Sequence, residues 1–301
     1  MKFWKMNGAG NDFIVINNLE EKLPVDKFPE IARALCERHM SIGADGLMAV
    51  DKPSEGVEAD ARMLFFNSDG SIGEMCGNGA RCISRYCFEH GIGEGDEVTI
   101  ETTAGLVTGK RIDKRLYRIR LNDPSLIELH KILELDGEAI ECSYVMLGDP
   151  GLPHIVVDYP SQLAKLCNAE HLADADRNKL FEIGRKLRFH KDLPKGANVN
   201  FIEIIAEDEV DELTYERGVE DFTYACGTGT GSSVAALTLM ERVSGNHVKV
   251  NMRGGVLYID VEEVDEEDTD EGSNTCVHGL YLTGPTNIVC KGTVTDEELR
   301  I

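Results

Sequence analysis

Cys76 and Cys226 stand out because each is followed by Gly-X-Gly and then by a run of small, helix-compatible residues. This arrangement predicts a cysteine at or just before the N-terminus of a helix. Unpaired N–H groups and the positive end of the helix dipole stabilise a thiolate there, which lowers the pKa of a thiol. The glycines let a carboxylate approach the same N–H groups closely. Each copy therefore predicts a reactive thiol beside an anion-binding turn.

The pairing of the two copies carries more information than either one. A single Cys-Gly-X-Gly is most often a turn with a small buried residue, but here Asn67 and Asp69 precede the first copy and Glu216-Arg217-Gly218 precedes the second. We therefore expect two similar lobes that face one another, with a small anionic molecule held between opposed sulfurs.

Charge and hydropathy exclude several classes of partner. The 301 residues carry a formal net charge of −23 and show no clustered basic face, so neither nucleic acid nor an anionic membrane surface is expected to bind. No apolar run reaches the roughly 20 residues that span a bilayer. The N-terminus has no signal-peptide core, so a cytoplasmic protein is expected.

The cysteine pattern favours thiols over disulfides or metal ligands. Nine cysteines are an odd number without a short-spaced framework, which is typical of a reducing compartment. No Cys/His clustering predicts a zinc site, and Cys82 and Cys87 are expected to pack in the core. Cys226-Gly227-Thr228-Gly229 lacks the strand, third glycine and acidic residue of a dinucleotide site. We expect neither a metal nor an organic cofactor.

The order of predicted elements repeats. Each half contains several strands and one helix that begins after its cysteine, which predicts an α+β fold of two pseudo-symmetric lobes. The lobes are expected over 1–121 and 122–285, with a last strand in 286–301 that returns to the first lobe. Helices are predicted over 29–39 and 171–189. The acidic stretch 262–275 is predicted to be a solvated loop.

Short motifs spread over almost the whole chain are MNGAGNDF at 6–13, NSDGS at 67–71, CGNGARC at 76–82, NVNF at 198–201, ERG at 216–218, ACGTG at 225–229 and GG at 254–255. Together they resemble the diaminopimelate epimerase family, pyridoxal-independent two-cysteine epimerases similar in fold to proline racemase. The resemblance implies a curved mixed or antiparallel sheet around the central helix of each lobe. It also implies that LL- and meso-2,6-diaminopimelate are interconverted for lysine and peptidoglycan synthesis.

The resemblance also implies roles for individual residues. Cys76 and Cys226 would be the acid–base pair, and His154 and Glu216 would lie beside the two sulfurs. The α-carboxylate would bind to the turns after the cysteines, and other polar side chains would grip the rest of the substrate. These substrate-binding residues are Gly77, Asn78, Gly227 and Thr228 in the turns, and Asn11, Asn67, Asn198, Glu216 and Arg217 elsewhere. Family members are often homodimers, so a homodimer is expected.

Leu152 departs from the family pattern. The family has Gly-Asn-Pro-His where this chain has Gly151-Leu152-Pro153-His154, so a substrate-binding asparagine is missing. A racemase of another amino acid on the same scaffold is therefore an alternative, and comparing diaminopimelate with other amino acids distinguishes the two. A non-catalytic amino-acid-binding protein is a further alternative. Such a protein would bind its ligand without exchanging the α-hydrogen with solvent.

Overall fold

The computed structural model describes residues 1–73, 75–269, 272–295 and 297. Internal contacts divide the chain into two compact units. Unit 1 comprises Met1–Arg120 and Thr283–Ile301, and unit 2 comprises Leu121–Leu282. Among the helices in the described part of the chain, none is long and apolar enough to cross a membrane.

Unit 1 is a mixed sheet with helices on both faces. Its strands are β1 (Lys2–Gly8), β2 (Asn11–Asn17), β3 (Gly46–Asp51), β4 (Ala61–Asn67), β5 (Glu97–Thr102), β6 (Gly105–Arg111), β7 (Leu116–Arg120) and β17 (Asn287–Thr293). Its helices are α1 (Asn18–Glu21), α2 (Phe28–Cys36), α3 (Gly77–Glu89) and the 3-10 turn Val25–Lys27. The strand order is β17-β1-β2-β3-β4-β5-β6-β7, and only the pairs β2/β3 and β4/β5 are parallel among these described neighbours.

Alternation along β2 explains why both faces of this sheet are covered. Phe13 and Val15 point into the apolar cluster that contains residues of α3. Ile14 and Ile16 point to the opposite face, into the apolar cluster around α2. Successive side chains of a strand point to opposite faces, so a strand that is apolar throughout is buried on both. The helix α3 contacts every strand from β1 to β7, which requires the sheet to curve around it.

Unit 2 contains the remaining elements. Its strands are β8 (Pro124–Leu135), β9 (Glu138–Leu147), β10 (Leu152–Asp158), β11 (Asn198–Ala206), β12 (Glu209–Glu216), β13 (Asp221–Phe222), β14 (Val248–Met252), β15 (Gly255–Thr269) and β16 (Gly272–Pro285), the last residues of which belong to unit 1. Its helices are α4 (Tyr159–Gln162), α5 (Ala164–Cys167), α6 (Arg177–Arg188), α7 (Gly227–Leu239) and the 3-10 turn Leu172–Asp174.

The helix predicted over 171–189 is shorter in the structure. The helix α6 begins at Arg177, because the carboxylate of Asp176 accepts hydrogen bonds from the backbone N–H groups of Asn178 at 2.8 Å and Lys179 at 3.1 Å. An aspartate N-cap of this kind sets the start of a helix. The residues before it form only the 3-10 turn.

The two units share one pairing pattern. From β1 to β6 the pairings are antiparallel, parallel, antiparallel, parallel and antiparallel. The series β9, β10, β11, β12, β14 and β15 gives the same succession. In each unit the cysteine-capped helix follows the fourth strand of the series, as α3 after β4 and α7 after β12. The predicted α+β fold of two pseudo-symmetric halves is confirmed.

The acidic stretch 262–275 is not the solvated loop that the sequence predicted. The strand β15 continues to Thr269 and β16 begins at Gly272, while residues 270 and 271 lie outside the described residues. The residues Glu262, Glu263, Val264 and Asp265 are exposed. Carboxylates that are exposed to water stay hydrated, so the acidic run does not prevent an extended strand here. Residues 262–265 are solvated, as expected, but they are extended.

Candidate active site

Cys76 occupies the N-cap of α3, with φ −119° and ψ 115°, and its side chain is partly buried. The prediction that this thiol lies at a helix N-terminus is confirmed. Gly77 and Asn78 form the first turn, in which backbone N–H groups have no acceptor within the helix. These N–H groups and the positive end of the helix suit an anion.

Asn78 connects this turn to Asn11. The Asn78 side chain is 2% exposed, and its Nδ2 donates to Asn11 Oδ1 at 2.6 Å. Asn11 Nδ2 in turn donates to Asp45 Oδ2 at 3.1 Å. The carboxylate of Asp45 also accepts a hydrogen bond from Arg38 at 2.8 Å. Each amide therefore has a defined orientation, and Asn11 is fixed beside the Cys76 turn.

Asn67 ends β4 in a turn that reaches the same region. Its Nδ2 donates to Ser71 Oγ at 2.9 Å, and the Ser71 hydroxyl donates to Asp69 Oδ1 at 2.6 Å. The backbone N–H of Ser68 donates to the carbonyl of Asp45 at 3.2 Å. Asp45 therefore connects the Asn67 turn to Asn11, and unit 1 brings its predicted substrate-binding residues together.

A buried guanidinium lies one turn into α3. Arg81 is 0% exposed, and its Nη2 donates to Asn78 Oδ1 at 2.7 Å. Burial lowers the pKa of Arg81 to about 10. The nearby sulfurs of Cys82 and Cys76 raise this pKa, but by less than burial lowers it. The group stays protonated at neutral pH and places a positive charge near Cys76. Such a charge favours an anion at this end of the helix.

Cys226 occupies the N-cap of α7, with φ −122° and ψ 102°. Its Sγ accepts a hydrogen bond from the Gly229 N–H at 3.4 Å and lies 3.5 Å from Thr228 Oγ1. Gly227 and Thr228 supply the first-turn N–H groups, as Gly77 and Asn78 do in unit 1. The helix start that the sequence predicted is confirmed here too.

The expectation of a lowered thiol pKa is wrong for Cys226. The residue is 7% exposed, and burial raises the pKa of its thiol well above the ordinary value, with a further increase from the Glu216 charge. Hydrogen bonds from Thr228 and Gly229 offset only part of this rise. The free-energy cost of desolvating a thiolate here is larger than the stabilisation that the helix N-terminus provides. Cys226 is therefore a thiol at neutral pH, suited to donate a proton.

His154 lies on β10 between two asparagines of β11. Its Nε2 is 3.4 Å from Asn198 Nδ2 and its Nδ1 is 3.3 Å from Asn200 Nδ2. Burial lowers the pKa of His154 to about 3, assisted by the Arg217 charge, so the imidazole is neutral at physiological pH. Asn200 Oδ1 accepts from the Thr214 hydroxyl at 2.9 Å, which fixes the orientation of its amide toward the ring.

Asn198 also positions Arg217. Its Oδ1 accepts from the Arg217 backbone N–H at 2.7 Å, and Arg217 Nη1 donates to the Lys195 carbonyl at 3.4 Å. A guanidinium has five N–H donors, and the hydrogen bond to the Lys195 carbonyl uses one of them. Glu216 lies close enough to Cys226 for its charge to raise the pKa of the thiol. Unit 2 thus gathers Asn198, His154, Glu216, Arg217 and Cys226.

Some residues of these networks were not predicted to have a role. Arg81 and Asn200 lie within motifs that the sequence analysis quoted, but their burial shows only in the structure. Glu212 is 5% exposed and lies between the buried residues Val210 and Thr214 on β12. The sequence could have indicated this burial, because Val210, Glu212 and Thr214 alternate along the strand and therefore point to the same, inward face.

Gly79 and Gly229 each lie three residues after their cysteine but differ in what surrounds them. A Cβ at Gly229 would lie 2.3 Å from Asn200 Oδ1 and 3.2 Å from the Cys226 sulfur, whereas a Cβ at Gly79 would meet the flexible end of Met48 at 2.0 Å. The two glycines therefore offer a matched test of how closely each helix start is packed.

We expect Gly229→Ala to impair both stability and turnover. Asn200 is fully buried and held by Thr214, so it cannot move away cheaply, and overpacking of this kind costs roughly 1–3 kcal/mol. Gly79→Ala is the matched control, because a methionine side chain adapts to a new methyl group. Denaturant unfolding and kcat/KM of both variants provide the measurement. Equal effects of the two substitutions would contradict the close packing described at Gly229.

Metal ligation finds no support in the described residues. Within 1–73, 75–269, 272–295 and 297, no group of three or more His, Cys, Asp or Glu side chains could hold a metal ion.

The fold is similar to that of solved racemases and epimerases. A hydroxyproline epimerase from Agrobacterium vitis, solved with bound trans-4-OH-L-proline, matches with a TM-score of 0.66 and 19% identity over 98% of this chain and 90% of that chain. A probable proline racemase from Agrobacterium radiobacter K84 matches with a TM-score of 0.64 and 18% identity over 98% of this chain and 92% of that chain.

Sequence comparison identifies the family. The diaminopimelate epimerase family model matches residues 3–118 and 168–277. The chain is 37% identical to the diaminopimelate epimerase of Aquifex aeolicus over 309 residues, 99% of each chain. It is 34% identical to that of Methanothermobacter thermautotrophicus over 307 residues, 96% of this chain and 97% of the relative. The chain belongs to the diaminopimelate epimerase family.

Proposed function

We propose that this protein is an isomerase that interconverts LL- and meso-2,6-diaminopimelate by inverting one Cα centre. The observation that carries the proposal is the pair of cysteine N-caps, Cys76 on α3 and Cys226 on α7, in a chain of this family. The reaction uses two thiols and no pyridoxal phosphate, and it supplies precursors of lysine and peptidoglycan.

The two cysteines divide the proton transfer between them. Inversion requires removal of a weakly acidic proton from one face of Cα and delivery of another proton to the opposite face, so one sulfur must be ionised and the other protonated. Cys226 enters the cycle as the protonated partner, because burial raises the pKa of its thiol. Cys76, near the buried Arg81 charge, enters as the thiolate.

The first turns of the two helices bind the reacting end of the substrate. The N–H groups of Gly77 and Asn78 in α3, and of Gly227 and Thr228 in α7, are oriented before the substrate arrives. Donors fixed in this way stabilise both the α-carboxylate and the negative charge that develops when the α-proton leaves.

Polar side chains bind the distal end of the substrate. Arg217 binds the distal carboxylate through its planar fork, while Asn67 and Asn198 direct the distal amino and carboxylate groups. Asn11 and Glu216 bind further polar groups of the substrate. The defined amide orientations of Asn11 and Asn198 support this role, since a fixed amide discriminates between donor and acceptor groups of a ligand.

We also propose a cytoplasmic location and a homodimeric assembly. The substrate is a small amino acid made inside cells, and members of the family are often homodimers. Size-exclusion chromatography with light scattering measures the assembly directly.

Solvent deuterium exchange tests the proposed function. In D₂O the enzyme should incorporate one deuterium at the inverted Cα of LL-diaminopimelate and form the meso isomer, which mass spectrometry and chiral chromatography detect. A protein that binds diaminopimelate without exchange would be a binding protein, and exchange into another amino acid alone would make it a racemase of that amino acid.

Leu152 gives a specific prediction about substrate selection. It begins β10 and is partly exposed, at the position where the family has an asparagine. One lost amide hydrogen bond is worth on the order of 1 kcal/mol, so Leu152→Asn should raise kcat/KM for diaminopimelate about fivefold relative to a monofunctional amino acid. Side-by-side kinetics on both substrates measure the ratio, and an unchanged ratio would remove Leu152 from substrate selection.

A further inference from the structure

Glu212 on β12 is a buried carboxylate that the proposed reaction does not use. It is 5% exposed and accepts hydrogen bonds from two hydroxyls of α7. Thr230 Oγ1 donates to its Oε2 at 2.7 Å, and Ser233 Oγ donates to its Oε1 at 2.6 Å. Thr230 Oγ1 also lies 2.9 Å from the carbonyl oxygen of Cys226. A hydroxyl carries a single proton, so Thr230 can donate to only one of these acceptors at a time.

The protonation state of Glu212 decides which acceptor Thr230 uses. An ionised carboxylate can only accept, so the Thr230 hydroxyl donates its hydrogen bond to Glu212, and the negative charge of Glu212 lies near the start of α7. A protonated carboxyl can donate to Thr230 Oγ1, and the Thr230 proton is then directed to the Cys226 carbonyl. The two states therefore differ both in the hydrogen bonding of Cys226 and in the charge close to its sulfur.

We propose that Glu212 is a positioning residue for Cys226: in its ionised form it accepts the Thr230 hydrogen bond and further disfavours the Cys226 thiolate, and its protonation makes the thiolate less unfavourable. The proposal rests on the proposed two-thiol reaction, because only there does the protonation state of Cys226 matter for turnover. It adds a carboxyl group that acts on the thiol through α7 and does not touch the substrate.

The electrostatics of the site support this coupling. Burial raises the pKa of Glu212 to about 7, and the hydrogen bonds from Ser233 and Thr230 offset part of the rise. Glu212 therefore changes its charge in the neutral pH range. Burial is the largest cause that raises the pKa of Cys226, and the charges of Glu216 and Glu212 raise it further. Two interacting acids titrate as a pair, so ionisation of one opposes ionisation of the other.

On the helix packed against Glu212, the ionisable group is the N-cap residue Cys226. The helix Gly227–Leu239 contains no Asp, Glu, Lys, Arg or His, and it faces Glu212 with Thr230 and Ser233. On β11 the register partner of Glu212 is the apolar residue Ile202.

The charged groups of β12 and β14 near Glu212 have partners of their own. The neighbouring carboxylates Glu209 and Asp211 each accept a hydrogen bond from Asn251 Nδ2 at 2.9 Å. On β14, Lys249 is paired with Glu209 at 2.7 Å, and Met252 places its sulfur 3.4 Å from Thr230 Oγ1. Glu216, at the end of β12, is the further carboxylate whose charge acts on Cys226.

Alkylation of Cys226 by iodoacetamide tests the proposal, because the reaction rate follows the thiolate fraction. In a Cys76→Ala background, iodoacetamide should alkylate Cys226 faster in Glu212→Gln than in the parent well above pH 7, by up to about tenfold, which corresponds to one pKa unit of interaction. Well below pH 7 the two rates should coincide, since Glu212 is then neutral in the parent too. Peptide mass spectrometry assigns the modified cysteine, and this readout does not require turnover.

Matched variants separate this effect from a general loss of structure. Glu203→Gln changes another buried carboxylate of unit 2, one that binds His171 at 2.7 Å, and should leave Cys226 alkylation unchanged. Glu212→Asp keeps the charge and should behave like the parent above pH 7. In the enzyme with both cysteines, Glu212→Gln should flatten the pH dependence of kcat/KM around pH 7. Parallel rate profiles for parent and Glu212→Gln at every pH, or an unaltered kcat/KM profile, would overturn the proposal.

Discussion

Replacing either Cys76 or Cys226 by alanine should reduce epimerisation by at least about 10²-fold, since a positioned acid or base contributes roughly 10²–10⁴-fold and inversion needs one on each face. Substrate binding should persist, because the helix N–H groups and Arg217 remain. Chiral chromatography gives the rate and calorimetry gives the affinity.

Cys290→Ala is the matched control for these substitutions. Cys290 is an exposed thiol on β17 and has no place in the proposed reaction, so its loss should leave kcat unchanged. Turnover at the wild-type rate by either the Cys76→Ala or the Cys226→Ala protein would disprove the two-base mechanism.

Arg217→Met should raise the KM for diaminopimelate by roughly 10- to 100-fold with a smaller change in kcat. Hydrogen bonds to charged groups are worth about 1.5–3 kcal/mol, and the distal carboxylate is remote from the reacting carbon. The loss therefore falls mainly on binding. Steady-state kinetics on LL-diaminopimelate measure both constants.

Two variants sharpen the interpretation of this result. Arg217→Lys keeps the charge without the planar fork, so its KM should lie between those of the parent and Arg217→Met. Arg242→Met removes a guanidinium that pairs with Asp158 at 2.9 Å and should leave KM unchanged. A fall in kcat without a change in KM for Arg217→Met would assign Arg217 to the chemical step instead of the distal carboxylate.

The local sequence predicted the two helix starts well because the cysteine, the glycines and the small residues after them all favour the same structure. It predicted less about β8 (Pro124–Leu135), for which no element was expected. The pairing of β8 with β9 shifts register between Glu128 and Lys131, and His130 has φ 58°. Such an irregularity changes which residues face the core, so the alternation that would mark a strand is interrupted.

The sequence also could not give the balance of forces at Cys226. A helix N-terminus lowers the pKa of a thiol, but burial and the Glu216 charge raise it, and the size of each effect depends on packing. Glu212 was missed for a related reason. Its neighbours Thr230 and Ser233 come from α7, far along the chain, and only the folded unit shows that they surround one carboxylate.

The position of β17 affects how the protein folds during synthesis. It pairs with β1 over Lys2 to Asn7, so the edge of the first sheet is completed by residues that leave the ribosome after all of unit 2. At roughly 5–20 residues per second, β1 waits tens of seconds for this partner. An unpaired strand edge is a template for association with other chains. A nascent chain that stalls before Asn287 would therefore leave the edge of β1 without its strand partner β17.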